Sequence, residues 1–444
     1  MTIARTICLG FLAVIVIGTL LLTMPFATSN GEWNDPIVAL FTSTSAVCVT
    51  GLVVVDTGSY FSFWGQLIIA LLIEIGGLGY MTITTFLILL IGRKFDLKQK
   101  FAIQESFDRP FLQGSSNLIR SIIATTLLFE ITAIFLMLPI FTKDFGLSQG
   151  LWFAIFHSIS AWNNAGFGLL PDNLIQYASS WTINLVIPGL IIFGGIGYQV
   201  IIEMYIWLLN RIQKRKEKFC FSLNFKVVTS TTLILLILGT IGFWLIEFDN
   251  QNTLGNLDIQ GRFLTAWFQS VTTRTAGFNS IDIGKMTTAG LFLTIGLMFV
   301  GASPSGTGGG IKTTTLRILF NCTRSVLEGK DEVILYQREV PYPLILKAVA
   351  VVFGSAASIV FITIIISSID GSIDLIAILF EVVSAFATVG LSTGITASLS
   401  KLSQLMLIMT MYAGRVGILL LIAAIIGDPR PTTLNYPEEN LLVG

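Results

Sequence analysis

FTSTSAVCVTGL, residues 41–52, returns three times in altered form along the chain. The later copies are FHSISAWNNAGF at 156–167, FQSVTTRTAGF at 268–278 and FEVVSAFATVGL at 380–391. Each opens on phenylalanine, runs through small and hydroxylated residues, and ends on a glycine followed by an apolar side chain. The glycines, Gly51, Gly166, Gly277 and Gly390, stand 115, 111 and 113 residues apart in a chain of 444. A fourfold period of that length accounts for the whole sequence and leaves no room for a separate domain. Four equivalent glycine turns can surround one axis, which is the geometry of an ion filter.

Composition names the solvent. The chain is 53% hydrophobic and 12% charged, about half the charge of a soluble domain, so water is not its main surroundings. Zero net charge argues against nucleic acid as a partner. Cys8, Cys48, Cys220 and Cys322 share no metal or disulfide spacing and read as small buried hydrophobes. A single histidine, His157, excludes a multi-histidine metal site. Arg5 followed by the apolar run 7–22 imitates a signal peptide, but Pro25 and Phe26 stand where a cleavage site would fall. The segment is read as the first span.

Each repeat holds two runs long enough to cross a bilayer, flanking one that is too short. The long runs are 3–24 and 63–91, 117–140 and 181–209, 226–248 and 287–319, and 343–368 and 401–427. A helical crossing takes ~20 apolar residues, so eight spans are predicted. The short runs, near 36–48, 149–161, 262–273 and 373–386, reach about half way and read as re-entrant. The predicted fold is an all-α integral membrane protein of four span–short helix–span units around a pseudo-fourfold pore. Its repeats fall at 1–92, 93–210, 211–320 and 321–444. Asp35 and Pro36 supply a cap and a first-turn proline for the first short helix; Ser148 and Ser372 are read as caps of the second and fourth. The third start, near Gly261 and Arg262, shows no comparable cap.

Lysine and arginine set the orientation. Segments at the ends and between repeats hold 20 of them, while those carrying the glycine turns hold Lys143, Arg262, Arg274, Lys285 and Lys401. That bias places both termini in the cytosol and the turns near the outer face. Two crossings per repeat give all four units one orientation, a ring rather than the inverted halves of many secondary transporters.

A dehydrated cation needs several oxygens at once, and backbone carbonyls supply them without fixed charge. Aiming them at one axis takes backbone angles that glycine tolerates best. The candidate lining is Val49, Thr50 and Gly51; Asn164, Ala165 and Gly166; Thr275, Ala276 and Gly277; and Thr388, Val389 and Gly390. The last three match the start of the potassium-channel TVGYG filter.

Glycine clusters follow within each second long run, beginning at Gly76, Gly194, Gly301 and Gly414. The first two read as close helix packing. The third cannot continue a helix: Gly301, Ala302, Ser303, Pro304, Ser305, Gly306, Thr307, Gly308, Gly309 and Gly310 carry no large side chain. It is read as an irregular intramembrane loop that gates the path, with Lys312 just beyond it. Gly310, Ile311, Lys312 and Thr313 imitate a Walker A ending, but Ile311 interrupts the pattern within a membrane run, so nucleotide binding is rejected. Arg415 lies at matching depth in the fourth repeat, its guanidinium read as a donor to loop carbonyls or as the partner of a carboxylate such as Glu74. Glu130, Glu203, Glu247 and Glu381 also lie in or near spans, divided between pairing and cation attraction.

Taken together, the four glycine turns, the repeats, the GASPSGTGGGIKT stretch and Arg415 resemble the Trk/Ktr/HKT superfamily of potassium transporters, most closely its KtrB-type membrane subunits. The resemblance covers essentially the whole chain. It implies passive potassium uptake, often promoted by sodium, through one pore per protomer of a homodimer in the bacterial inner membrane. It also implies a separate KtrA-like ring of RCK type that binds nucleotide. Segments 93–116, 210–225 and 320–342 are its candidate docking surfaces. In some plant relatives a serine at the position of Gly51 goes with sodium preference, so the glycine here favours potassium. The competing readings are a sodium or unselective cation carrier of the same superfamily and a secondary transporter of an organic solute. An enzyme is disfavoured, since no nucleophile–base or metal constellation is seen.

Overall fold

The computed structural model describes residues 3–79, 115–214 and 219–427, and over these it is almost wholly helical. The exception is a two-residue strand pair, Ile334–Leu335 with Arg338–Glu339, turned by Tyr336 and Gln337 in left-handed conformation. Among the described residues, four helices are long and apolar enough to cross a bilayer: Ala4–Thr23, Ile119–Trp162, Leu223–Glu247 and Tyr342–Ile369. Their outer faces expose Ile17, Phe135, Leu245 and Phe353, whereas Ser43, Asn163, Asn164, Thr275 and Thr388 are fully buried. Apolar side chains outside and polar ones within mark a multi-pass membrane protein.

The short helices form as their sequences direct, with corrections at their starts. Asp35 accepts from the Ile37 N–H at 2.8 Å and Pro36 opens the helix Pro36–Val47. Asp258, overlooked in the sequence, caps Ile259–Thr272 by accepting from the Gly261 N–H at 2.9 Å. Asp374 rather than Ser372 precedes Leu375–Phe386. The second short helix continues the run Ser115–Trp162 beyond a break at Gly146 (φ 76°), and Ser148 lies inside the helix.

The second long runs of the second, third and fourth repeats are interrupted, more widely than their glycine clusters suggested. Phe63–Leu78 stops at Gly79, and the remainder of run 63–91 lies outside the described residues, as does most of segment 93–116. Trp181–Ile196 turns through 103° into Tyr198–Ile212, and Lys401–Val416 turns through 95° into Ile418–Ile426. The pivots, Gly197 (φ 94°) and Gly417 (φ 89°), hold a left-handed conformation that a β-carbon resists. In the third repeat the helix Thr288–Phe299 gives way to a loop before Thr313–Leu327. The first glycine of the first two clusters packs as expected, and that of the fourth does the same: a β-carbon on Gly76, Gly194 or Gly414 would overlap the carbonyl oxygen of Val47, Trp162 or Phe386, each at the end of a short helix.

Candidate functional site

The four turns share one backbone. Two residues before each glycine the chain is left-handed, at Val49 (φ 57°), Asn164 (57°), Thr275 (68°) and Thr388 (51°). The glycines are left-handed again, at 92°, 71°, 72° and 91° in chain order. A backbone whose φ alternates in sign turns successive carbonyls toward one side, unlike an extended strand. Three of the four non-glycine positions are β-branched, and such conformations cost of order 1–3 kcal/mol each. The short helices hold them there. The N–H groups of Thr50, Ala165 and Val389 donate to Ser45, Ser160 and Ser384 carbonyls at 2.7–2.8 Å. The third turn is one residue shorter, and Ala276 donates instead to Thr272, at 3.0 Å. Its last helical turn absorbs the deletion, so Thr275 and Gly277 recover the common geometry.

The turns close into a ring in chain order. A β-carbon on Gly51 would overlap the Ala165 carbonyl; on Gly166, that of Ala276; on Gly277, that of Val389; on Gly390, that of Thr50. The same construction comes within 2.9–3.1 Å of the Cα of the next repeat's glycine at every step. All twelve candidate lining residues are buried within this ring.

The loop lies directly against it. A neck is tied by Gly301 N–H to the Ile311 carbonyl (2.8 Å) and Ala302 N–H to the Gly309 carbonyl (3.2 Å). The Gly309 N–H donates to Thr388 Oγ1 at 3.0 Å, and Gly308 leaves no room for a β-carbon against Thr275 Oγ1. The far side of the loop seats on the bend of the second repeat: Ser303 and Thr307 N–H groups donate to the Gly195 and Gly194 carbonyls, and Tyr198 N–H to that of Ser305. Pro304, Ser305 and Gly306 face a cavity of about 890 Å³, whose walls include Gly79, Tyr198, Lys347 and Gly417. Gly308, Gly310 and Lys312 line that cavity too, so one loop touches both the ring and the cavity.

Arg415 binds the loop to the first repeat. Its guanidinium donates to the Thr307 carbonyl and to the carbonyls of Gly76 and Gly77. Among the described residues it meets no carboxylate within ion-pair distance, so pairing with Glu74 is not the arrangement found. Lys312 Nζ donates to the Gly308 carbonyl at 2.9 Å. Glu74 instead accepts from Asn163 Nδ2 (2.7 Å) and meets the Glu130 carboxyl. Three other carboxylates are clamps. Glu203 accepts from Ser222 N–H and hydroxyl, Glu247 from Thr253 and Thr287, and Glu381 from Ser392, Thr393 and Thr396. His157 is buried among aromatic rings, its Nδ1 2.8 Å from the Phe153 carbonyl. Arg274, given no role from sequence, donates to the Gly301 carbonyl at the neck.

With this geometry in view, the family model described as TrkH, cation transport protein, matches residues 5–434. The chain belongs to the TrkH family of cation transport proteins. It is 37% identical over 441 residues to the Ktr system potassium uptake protein B of Bacillus subtilis, covering 99% of this chain and 96% of that one. The protein of the same name from Vibrio alginolyticus is also 37% identical, over 443 residues, covering 99% and 94%. The potassium transporter TrkH from Vibrio parahaemolyticus shares the fold, with a TM-score of 0.71, 16% identity, and coverage of 95% of this chain and 85% of that one.

Proposed function

We propose that the protein conducts potassium passively into the cell through the ring of carbonyls, and that the 301–310 loop, held by Arg415 and Lys312, closes the path on the cytosolic side. The observation that carries this reading is the chain-order closure of the four turns, each glycine against the carbonyl of the next repeat. Carbonyl dipoles converging on one axis replace the water around a bare monovalent cation. Repeats of one orientation suit a pore better than a rocking site. The two relatives named for potassium uptake support the choice of ion.

Among the described residues four helices are long enough to cross, six if each bent pair counts once; we read the shorter Phe63–Leu78 and Thr288–Phe299 as the crossings of the first and third units, for eight spans with four re-entrant helices. Both termini lie in the cytosol of a bacterial inner membrane. The working unit is a homodimer, promoted by sodium and regulated by a KtrA-like RCK ring that binds the nucleotide. That relatives are components of a Ktr system supports a partner subunit. The last turns of the amphipathic helix Thr313–Leu327, which expose Phe320, Val326 and Leu327, are the favoured docking face within 320–342.

The test is ion flux into vesicles containing the purified protein. Wild type is expected to admit potassium in preference to sodium, and Gly51→Ser to lose that preference. Equal potassium-to-sodium ratios in the two proteins would overturn the assignment of the ring.

A further inference from the structure

Arg274 is a buried cation whose role lies outside the latch that Arg415 makes. It is 8% exposed, and among the described residues no carboxylate lies within ion-pair distance. A guanidinium buried without a counter-charge is expensive unless its donors are well used. Nη2 donates to the Gly301 carbonyl at 3.1 Å, at the neck where the loop leaves the helix Thr288–Phe299. Nη1 has no protein acceptor, and neither has the hydroxyl of buried Thr232. Arg274 and Thr232 both line a cavity of about 10 Å³, with Gly195 and Ala302. That volume holds about one water molecule, and a polar site with two unsatisfied groups is where such a water belongs.

The main chain of the same residue is part of the ring. The Arg274 carbonyl accepts from Asn164 Nδ2 at 3.3 Å, across the junction with the second turn. Its neighbour Thr275 is the left-handed member of the third turn and touches Gly308. One residue therefore joins the loop neck, through its side chain, to the ring, through its backbone. Arg415 holds the opposite end, at Thr307.

We propose that Arg274 is a positioning residue that pins the loop's neck to the third turn, so that the loop swings from its tip while the ring keeps its shape. The inference rests on the reading of ring and loop given above. It separates the two arginines. Losing Arg415 frees the tip and leaves the ring intact; losing Arg274 frees the neck and loosens the third turn as well. Arginine suits the place because its planar fork donates to the Gly301 carbonyl and presents a second arm to the small polar cavity, whereas an ammonium serves one point.

The test uses Ala302→Cys, buried at the neck, in the full chain with Cys220 and Cys322 replaced by serine. Purified protein is titrated with a soluble maleimide, and the same variants are assayed for potassium and sodium flux in vesicles. A hydrogen bond to a charged group contributes ~1.5–3 kcal/mol, so Arg274→Gln is expected to speed labelling about tenfold or more and to lower potassium preference. Arg415→Gln is expected to raise flux with labelling and preference unchanged. Wild-type labelling and preference in Arg274→Gln would overturn the proposal. Should that variant fail to fold, Arg274→Lys is expected to label about threefold faster than wild type, having lost one arm of the fork; wild-type labelling there would overturn it equally. Labelling requires no transported ion, so a chain that labels as expected yet carries no potassium refutes the transport reading and leaves the pin in place.

Discussion

Gly390 closes the ring against Thr50: the space a β-carbon on Gly390 would need is filled by the Thr50 carbonyl oxygen, from a repeat 340 residues earlier. The last and first quarters of the chain therefore meet along a seam, and other contacts fasten it. Tyr412 donates its hydroxyl to the Cys8 carbonyl at 2.7 Å, Lys401 pairs with Asp35 at 2.9 Å, and Arg5 donates to the Ala424 carbonyl at 2.7 Å. Fourfold closure is a property of the whole sequence, and damage at one junction reaches the common axis.

Glycine at the ring answers two demands, a left-handed backbone and a neighbour in the place of a side chain. Gly277→Ala meets both penalties, of which the backbone alone is worth ~1–2 kcal/mol. Gly394, with φ 94° and open space around it, meets only the first. Potassium flux per folded protein is expected to fall at least tenfold in Gly277→Ala and less than twofold in Gly394→Ala, as measured in vesicles. Equal losses would assign the effect to strain and not to the ring.

Arg415 makes three donor contacts that tie the loop to the first repeat. Replacing it by alanine leaves those carbonyls without their cationic partner, and losing ~1.4 kcal/mol of closure is a tenfold change in the open fraction. Arg415→Ala, and a deletion within residues 306–310, are each expected to raise unstimulated potassium flux about tenfold. Wild-type flux in both would remove the loop from gating.

The two bends differ in what surrounds them. A β-carbon on Gly197 would overlap the Pro304 carbonyl of the loop, whereas Gly417 has nothing within 4 Å. Gly197→Ala is expected to displace the loop and raise basal flux several-fold, while Gly417→Ala lowers the melting temperature with flux little changed.

At the seam between the last and first repeats the Lys401 ammonium, followed by the Ile37 N–H, holds the Asp35 carboxyl below its ordinary value of 3.8. A depressed value means the ionised form stabilises the fold. The contribution is present above the unfolded-state value and is lost as pH falls through the folded one. Asp35→Ala is expected to lose ~1 kcal/mol through the cap, and Lys401→Met to change little, as exposed ion pairs do. Thermal unfolding in detergent at pH 7 and again below pH 3 checks both; the wild-type advantage over Asp35→Ala is expected to shrink at the lower pH.

The four turns were legible because a left-handed backbone in a tight ring leaves glycine little substitute, and the requirement returns at a regular interval. Their left-handed partners were not, since Val49, Asn164, Thr275 and Thr388 share no side-chain property. The bends at Gly197 and Gly417 were hidden because the residues on either side are apolar and no proline marks them, so each run reads as one crossing. Asp258 escaped notice by standing four residues ahead of the expected start. The partners of Arg274 and Arg415 are backbone carbonyls, at Gly301, Thr307, Gly76 and Gly77, and no residue type announces a carbonyl. Glu247 and Glu381 looked like charges in a span because the hydroxyls they accept from lie in loops 6–40 and 11–15 residues away.

The most direct measurement is an experimental density map of the protein soaked in thallium or rubidium, heavy stand-ins for potassium. The expected result is ion density on the ring axis, level with the carbonyls of Thr50, Ala165, Ala276 and Val389. Ions bound only away from that axis, with the ring itself dry and empty at saturating salt, would contradict the account.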